Sequence, residues 1–249
     1  MAFFPIQLSR MTRVRRHCLC GLVLLASALA LNGCADTLQQ DYEKSIKDAA
    51  TRGAGWDVPL TPLPPGRLTV STFTDDMALD TETIYTWVAP AGELRQRCKA
   101  KPDAKRDTVL ALEQILGLPP LKNPKPGHEW RVYVFDVEAR DLFRPCPGGL
   151  DTSAPADKPR CRLSSDIDPT LDPEFTTFLL QQWWSAHRAT VEPGNDPELG
   201  YPWTGMGWTY DWDPASKTHI GVSEFVVKKH AMVGNLRVRT PAEFCDSTG

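Results

Sequence analysis

Glu129–Val137 reads EWRVYVFDV, and the way its side chains divide decides the fold. In an extended chain Trp130, Val132 and Val134 fall on one face, and Arg131, Tyr133 and Phe135 on the other. Bulky residues on both faces place this strand inside a sheet. Two upstream stretches, Arg67–Phe73 (RLTVSTF) and Thr81–Val88 (TETIYTWV), carry the β-branched and aromatic residues of strands. Asp75, Asp76 and Asp80 mark the turn between them. These acids lack the glycine and terminal glutamate of an EF-hand, so a solvated turn is expected and not a calcium loop. Downstream, Met206–Trp212 and His219–Val227 flank Asp213–Lys217 as a hairpin, and Leu236–Arg239 is a last short strand.

Helices interrupt the strands. Ala91–Lys99 is a short one. Asp107–Leu116 has Asp107 as N-cap and stops at Gly117 and the Pro119–Pro120 pair. Asp172–His187 has a capping Asp172, Pro173 in the first helical position and Glu174 near the positive end of the dipole. Its Phe175, Phe178, Leu179, Trp183 and Trp184 make a wide apolar face, which implies deep burial against a sheet. His187, at its end, reads as a cation complementing the dipole. The order is not a regular βαβ alternation and shows no internal repeat. A single α+β domain over residues 67–249 is expected, with a mostly antiparallel sheet and three or four helices packed on it.

The N-terminus carries an address. Arg10, Arg13, Arg15 and Arg16 precede the uncharged, Leu- and Ala-rich run Cys18–Leu31. A transmembrane span needs about 20 apolar residues, so this charge-then-apolar pattern is that of a secretory signal. Translation from Met11 would give a shorter basic region. The run ends in Leu31-Asn32-Gly33-Cys34, which resembles the lipobox of bacterial lipoproteins. The resemblance implies diacylglyceryl transfer to the Cys34 thiol, removal of residues 1–33 and acylation of the new amine. The lipid bilayer is then the first partner, reached through acyl chains on Cys34. Ala35, in place of Asp, implies the outer membrane with the body facing the periplasm. Ordinary cleavage near Ala28 or Ala30, leaving Cys34 a free thiol, is the competing reading.

Residues 34–66 read as the lipidated start and a tether. Leu38, Tyr42, Ile46 and Ala50 form one thin stripe on a helix over Ala35–Ala54, with Asp36 able to cap its start and Gly53 its end. Pro59, Pro62, Pro64 and Pro65 then favour extended geometry. A spacer and a helix packed on the domain are both consistent with this pattern.

Loss of the four signal arginines moves the net charge from −3 to −7. An acidic body excludes nucleic acid as a partner class. Four cysteines remain after Cys18, Cys20 and Cys34 are accounted for, and an oxidising compartment pairs them. Cys146 and Cys161 flank a Pro/Gly-rich loop and are expected to pair, leaving Cys98 for Cys245. There is no CxxC, HxH or HExxH, so no metal is expected, and no motif calls for a cofactor.

The densest aromatic stretch is Tyr201–Trp212, in which Trp208, Tyr210 and Trp212 share one strand face. With Trp203 and Glu224 they are the candidate ligand-binding residues. Rings with polar edges stack on sugars, yet alternating aromatics on a strand serve first as core. Gly205 and Gly207 are expected to permit a bend. Glu224 sits in a Phe/Val-rich strand; buried, it would titrate high and act as an acid or base, whereas on an edge it would deter pairing. His219 and Ser223 lie too far apart along a strand for direct contact, and no Gly-x-Ser-x-Gly elbow exists, so no catalytic residue is assigned. His128 and His230 receive no role, and Arg237 with Arg239 makes a small basic face.

The primary expectation is a non-enzymatic envelope lipoprotein that binds a protein partner. A second is a glycan binder or hydrolase using the aromatic row with Glu224 or Asp211, for which a retaining mechanism needs two carboxylates about 5 Å apart. A third is an immunity protein that neutralises a toxin in the periplasm.

Overall fold

The structure, a computed structural model, describes residues 25–51, 56, 58–101, 107–120, 124–164, 166–191 and 200–247, with side chains from Thr37 onward and backbone alone at 188–191. The signal residues before Leu25 and the cap Gly53 lie outside that set.

Six antiparallel strands form the main sheet in the order β4-β7-β2-β1-β3-β8. They are β1 (Arg67–Thr74), β2 (Thr86–Pro90), β3 (Arg131–Glu138), β4 (Leu142–Phe143), β7 (Phe225–Val227) and β8 (Val233–Arg239). A two-stranded ladder pairs β5 (Trp208–Tyr210) with β6 (Ile220–Ser223). The helices are α1 (Leu25–Thr51), α2 (Ala91–Ala100), α3 (Thr108–Leu116), α4 (Pro173–Val191) and α5 (Pro241–Asp246). The protein is therefore α+β with an antiparallel sheet, as its patterning implies. Among the described residues no helix is long and apolar enough to cross a membrane.

β3 pairs with β1 along its whole length and with β8 on its other side. Its two faces serve two cores. Val132 and Val134 join Phe73, Ala89, Leu94, Leu112, Ile115 and Phe244 beneath α2, α3 and α5. Tyr133, Phe135 and Val137 join Val70, Val88, Phe225 and Val227 on the opposite face. Both disulfides form as the spacing suggests, Cys98–Cys245 and Cys146–Cys161. The first ties α2 to α5; the second closes a loop held by the Leu150–Cys161 bridge.

Several expectations need correction. Thr81–Val88 is not one strand. The Asp80 carboxylate accepts from the Glu82 and Thr83 backbone N–H groups, each at 2.9 Å, and this side-chain turn delays β2 to Thr86. His219–Val227 is likewise divided. His219 has φ +54° and ends the loop, β6 pairs with β5, and β7 crosses into the main sheet after Glu224.

The described residues among 37–66 do not form a spacer. Tyr42, Ile46, Ala49 and Leu60 are buried with Trp208, Tyr210 and Trp212. The stripe contains Ala49 where strict four-residue spacing points to Ala50, because 3.6 residues per turn drifts from four. The proline run packs too: the Leu60 N–H donates to Pro159 O at 2.8 Å and the Thr61 N–H to Ser223 Oγ at 2.8 Å. α1 begins at Leu25, so Asp36 lies within it and is not its cap; Cys34 lies on the same helical backbone.

α4 buries one stripe and not a wide face. Phe175, Leu179 and Ala186 are enclosed while Leu180 and Trp184 are each 49 % exposed. His187 is not at the helix end. The helix runs on to Val191, and the imidazole is buried against Trp183, ring centres 3.8 Å apart and planes tilted by 36°.

Candidate functional site

The aromatic row resolves into two environments. Trp208, Tyr210 and Trp212 are core: both indoles are 2 % exposed. Tyr42 meets Trp212 edge-on at 5.8 Å and Trp56 meets Trp208 at 5.3 Å. The Trp212 Nε1–H donates to Leu118 O at 2.8 Å, closing the loop after α3. These three rings are not a ligand platform, and the expectation of a sugar-stacking row is corrected: the ladder turns them toward α1 and α3, where apolar area must be covered. Trp203 differs. It lies across the face of the main sheet beside Trp87, ring centres 5.9 Å apart, and donates from Nε1 to Glu224 Oε1 at 3.1 Å.

Beside that pair is a cavity of about 310 Å³. Its floor is the sheet, its walls are the end of α3, one side of α4 and the segment Tyr201–Trp203. The floor exists because small residues oppose each other in register. Ser71 of β1 faces Ala89 of β2, and neither fills the space beneath the helices. Phe73 and Trp87 flank this depression; Leu116, Leu118, Pro202 and Trp203 complete an apolar lining. Gly117, with φ +69°, lets α3 end there: a Cβ would lie 3.3 Å from Pro202 Cγ and from Tyr210 O.

Among the described lining residues Glu224 is the one carboxyl. It occupies the single residue between β6 and β7, held by its N–H to Gly207 O at 2.9 Å. Val226, two residues on, lies on the helix-covered face, and period two puts Glu224 on that face as well. Glu224 is 7 % exposed. Burial pushes its carboxyl up to about 8, against the lowering effect of the Trp203 N–H and the Arg144 charge. Among the described residues Trp203 is its hydrogen-bond partner, which leaves Oε2 open.

Behind it runs a polar network. Glu93 Oε1 accepts from the Ser223 N–H at 2.8 Å and Oε2 from the Thr61 hydroxyl at 2.6 Å. The Arg144 guanidinium donates to Thr61 O and covers the Phe225 ring at 4.1 Å. Burial lowers Arg144 to about 10 even with Glu93 and Glu224 nearby.

The other candidates are not brought to this site. Asp211 is buried against Lys101 at 3.0 Å, so it forms no acid pair with Glu224 in the cavity. The Ser223 hydroxyl accepts from Thr61, while His219 stacks on Tyr210 and sets Nδ1 2.9 Å from Asp211 O. Arg237 and Arg239 lie exposed on the edge strand β8. Ser71, Phe73, Trp87, Ala89, Leu116 and Gln182 are lining residues that no linear pattern singles out. The one usable signal is a small residue in each of two strands, and it acquires meaning only from the pairing register. Among the described residues no cluster of three His, Cys, Asp or Glu side chains is placed to hold a metal. Neither a family model, nor a curated protein, nor a solved structure matches the chain.

Proposed function

We propose that this protein is a lipid-anchored envelope lipoprotein, fixed to the periplasmic side of the outer membrane through Cys34, whose body is a non-enzymatic binding module. The observation that carries the binding part is the preformed, mainly apolar cavity with a single carboxyl among its described lining residues. Binding pockets of about 300–1,000 Å³ lined by aromatic residues with few polar groups are the usual form of a small-ligand site. Glycoside hydrolysis needs two acids, and among the described lining residues Glu224 has no partner acid. Two disulfides support an oxidising compartment, and with it the export implied by the N-terminal segment.

The test fills the cavity. Ser71→Leu puts a branched side chain into the floor where Ser71 faces Ala89. Full-length protein solubilised from envelope and examined by native mass spectrometry should retain a small molecule in the wild type and lose it in Ser71→Leu, with circular dichroism unchanged. The same bound mass on both proteins, or none on either, rules out a ligand in this cavity.

A further inference from the structure

The polar groups lining the cavity are largely committed to the protein. The Thr209 hydroxyl donates to Ile115 O at 2.6 Å and accepts from the Val222 N–H at 2.9 Å. The Tyr201 hydroxyl donates to Gln182 Oε1 at 2.6 Å. Ser71 Oγ lies 3.5 Å from Ala89 O. Among the described residues no Lys, Arg or His side chain lines the cavity. Among the described residues, what is left is the second oxygen of Glu224 and the amide nitrogen of Gln182, in a wall that is otherwise mostly aromatic and aliphatic.

That combination discriminates by charge. An anionic ligand would meet a carboxyl and no cation. A neutral ligand would gain apolar burial and hydrogen bonds to the Glu224 carboxyl and the Gln182 amide, but no charge pairing. A cation gains an ion pair with the carboxylate in a low-dielectric site. We propose that the cavity takes a small amphiphilic amine, its ammonium paired with the Glu224 carboxylate and its hydrocarbon part lying among Phe73, Trp87, Leu116 and Trp203. This rests on the cavity being a ligand site. A dry cavity of about 150 Å³ accepts benzene, so the larger volume here suits a phenylalkyl or short alkyl chain.

The proton balance follows from the burial of Glu224. Empty, the carboxyl holds its proton up to about pH 8. An ammonium entering the site displaces that proton to solvent, so binding releases one proton below pH 8. The charged and titratable groups around Glu224 are Arg144 behind the sheet, Glu93 on α2 and the Tyr201 hydroxyl on the wall. Arg144 stays cationic and Tyr201 stays neutral across pH 6–8, and neither supplies the slope.

The probes are 2-phenylethylamine, 2-phenylethanol and 3-phenylpropionate, titrated calorimetrically into full-length protein in non-ionic detergent. The amine should bind at least tenfold tighter than the alcohol at pH 8, and the acid weakest. Amine affinity should rise about tenfold from pH 6 to 7. Glu224→Gln should cost the amine tenfold or more and leave alcohol binding in place. Equal binding of amine and alcohol, or a flat wild-type pH profile, overturns the amine assignment while the cavity reading survives on the alcohol. If none of the three binds, both readings fail together.

Discussion

At the scale of one residue, Glu224 ties stability to pH. Its folded carboxyl titrates near 8, far above the usual carboxylate value near 4.3, because burial penalises the charged form. Between those values the unfolded chain has lost a proton that the folded chain keeps. Stability from this group is therefore complete below about pH 4.3 and falls by about 1.4 kcal/mol for each pH unit up to about 8. Urea denaturation at pH 6, 7 and 8 should show the wild type weakening along that slope. Glu224→Gln, which keeps an oxygen for the Trp203 indole N–H, should lie nearly flat over the same range. Parallel slopes for the two proteins would mean that this carboxyl ionises normally in the folded state.

At the scale of an element, residues 37–51 of α1 and the proline run belong to the body. Ile46 is enclosed with Tyr42, Leu60, Met206 and the ladder aromatics. Truncating such a side chain costs about 2–5 kcal/mol through lost burial and the cavity left behind. Ile46→Ala should lower the chemical denaturation midpoint by that amount with an unchanged slope, whereas a free spacer would tolerate it. α4 illustrates the opposite outcome. Its cap is as its sequence states, with the Phe175 N–H on Asp172 Oδ1 at 3.0 Å, but its burial is narrower than its apolar content suggests. Composition counts rings; only the neighbouring strands β4, β7 and β2 decide how many of them are covered.

At the scale of the molecule, two covalent links close very different lengths of chain. Cys98–Cys245 spans 147 residues and Cys146–Cys161 spans 15. In the chain-entropy account a 15-residue loop contributes about 3 kcal/mol and a loop beyond 100 residues about 5 kcal/mol. Changing Cys98 and Cys245 together to Ser should therefore reduce unfolding free energy more than the same change at Cys146 and Cys161. Equal losses would show that native contacts, and not closure of the unfolded chain, set the effect. The anchor has its own measurement. Labelled palmitate should enter the wild type and not Cys34→Ala, and equal labelling of both would remove lipidation at that residue.

The linear pattern carries everything that depends on local chemistry. Period two identifies β1 and β3, caps at Asp107 and Asp172 place α3 and α4, and cysteine spacing anticipates both disulfides. Glu224 stands out as a charge in an apolar run, and its burial is one of the two outcomes that run allows. The rest depends on register and packing. The cavity comes from Ser71 meeting Ala89 across two strands, and the division of His219–Val227 comes from β7 pairing with β2. Which aromatic rings are core and which line the cavity is decided in the same way. Such facts arise between segments distant in the chain, where each side chain's environment is set by a partner that its own neighbourhood in sequence does not specify.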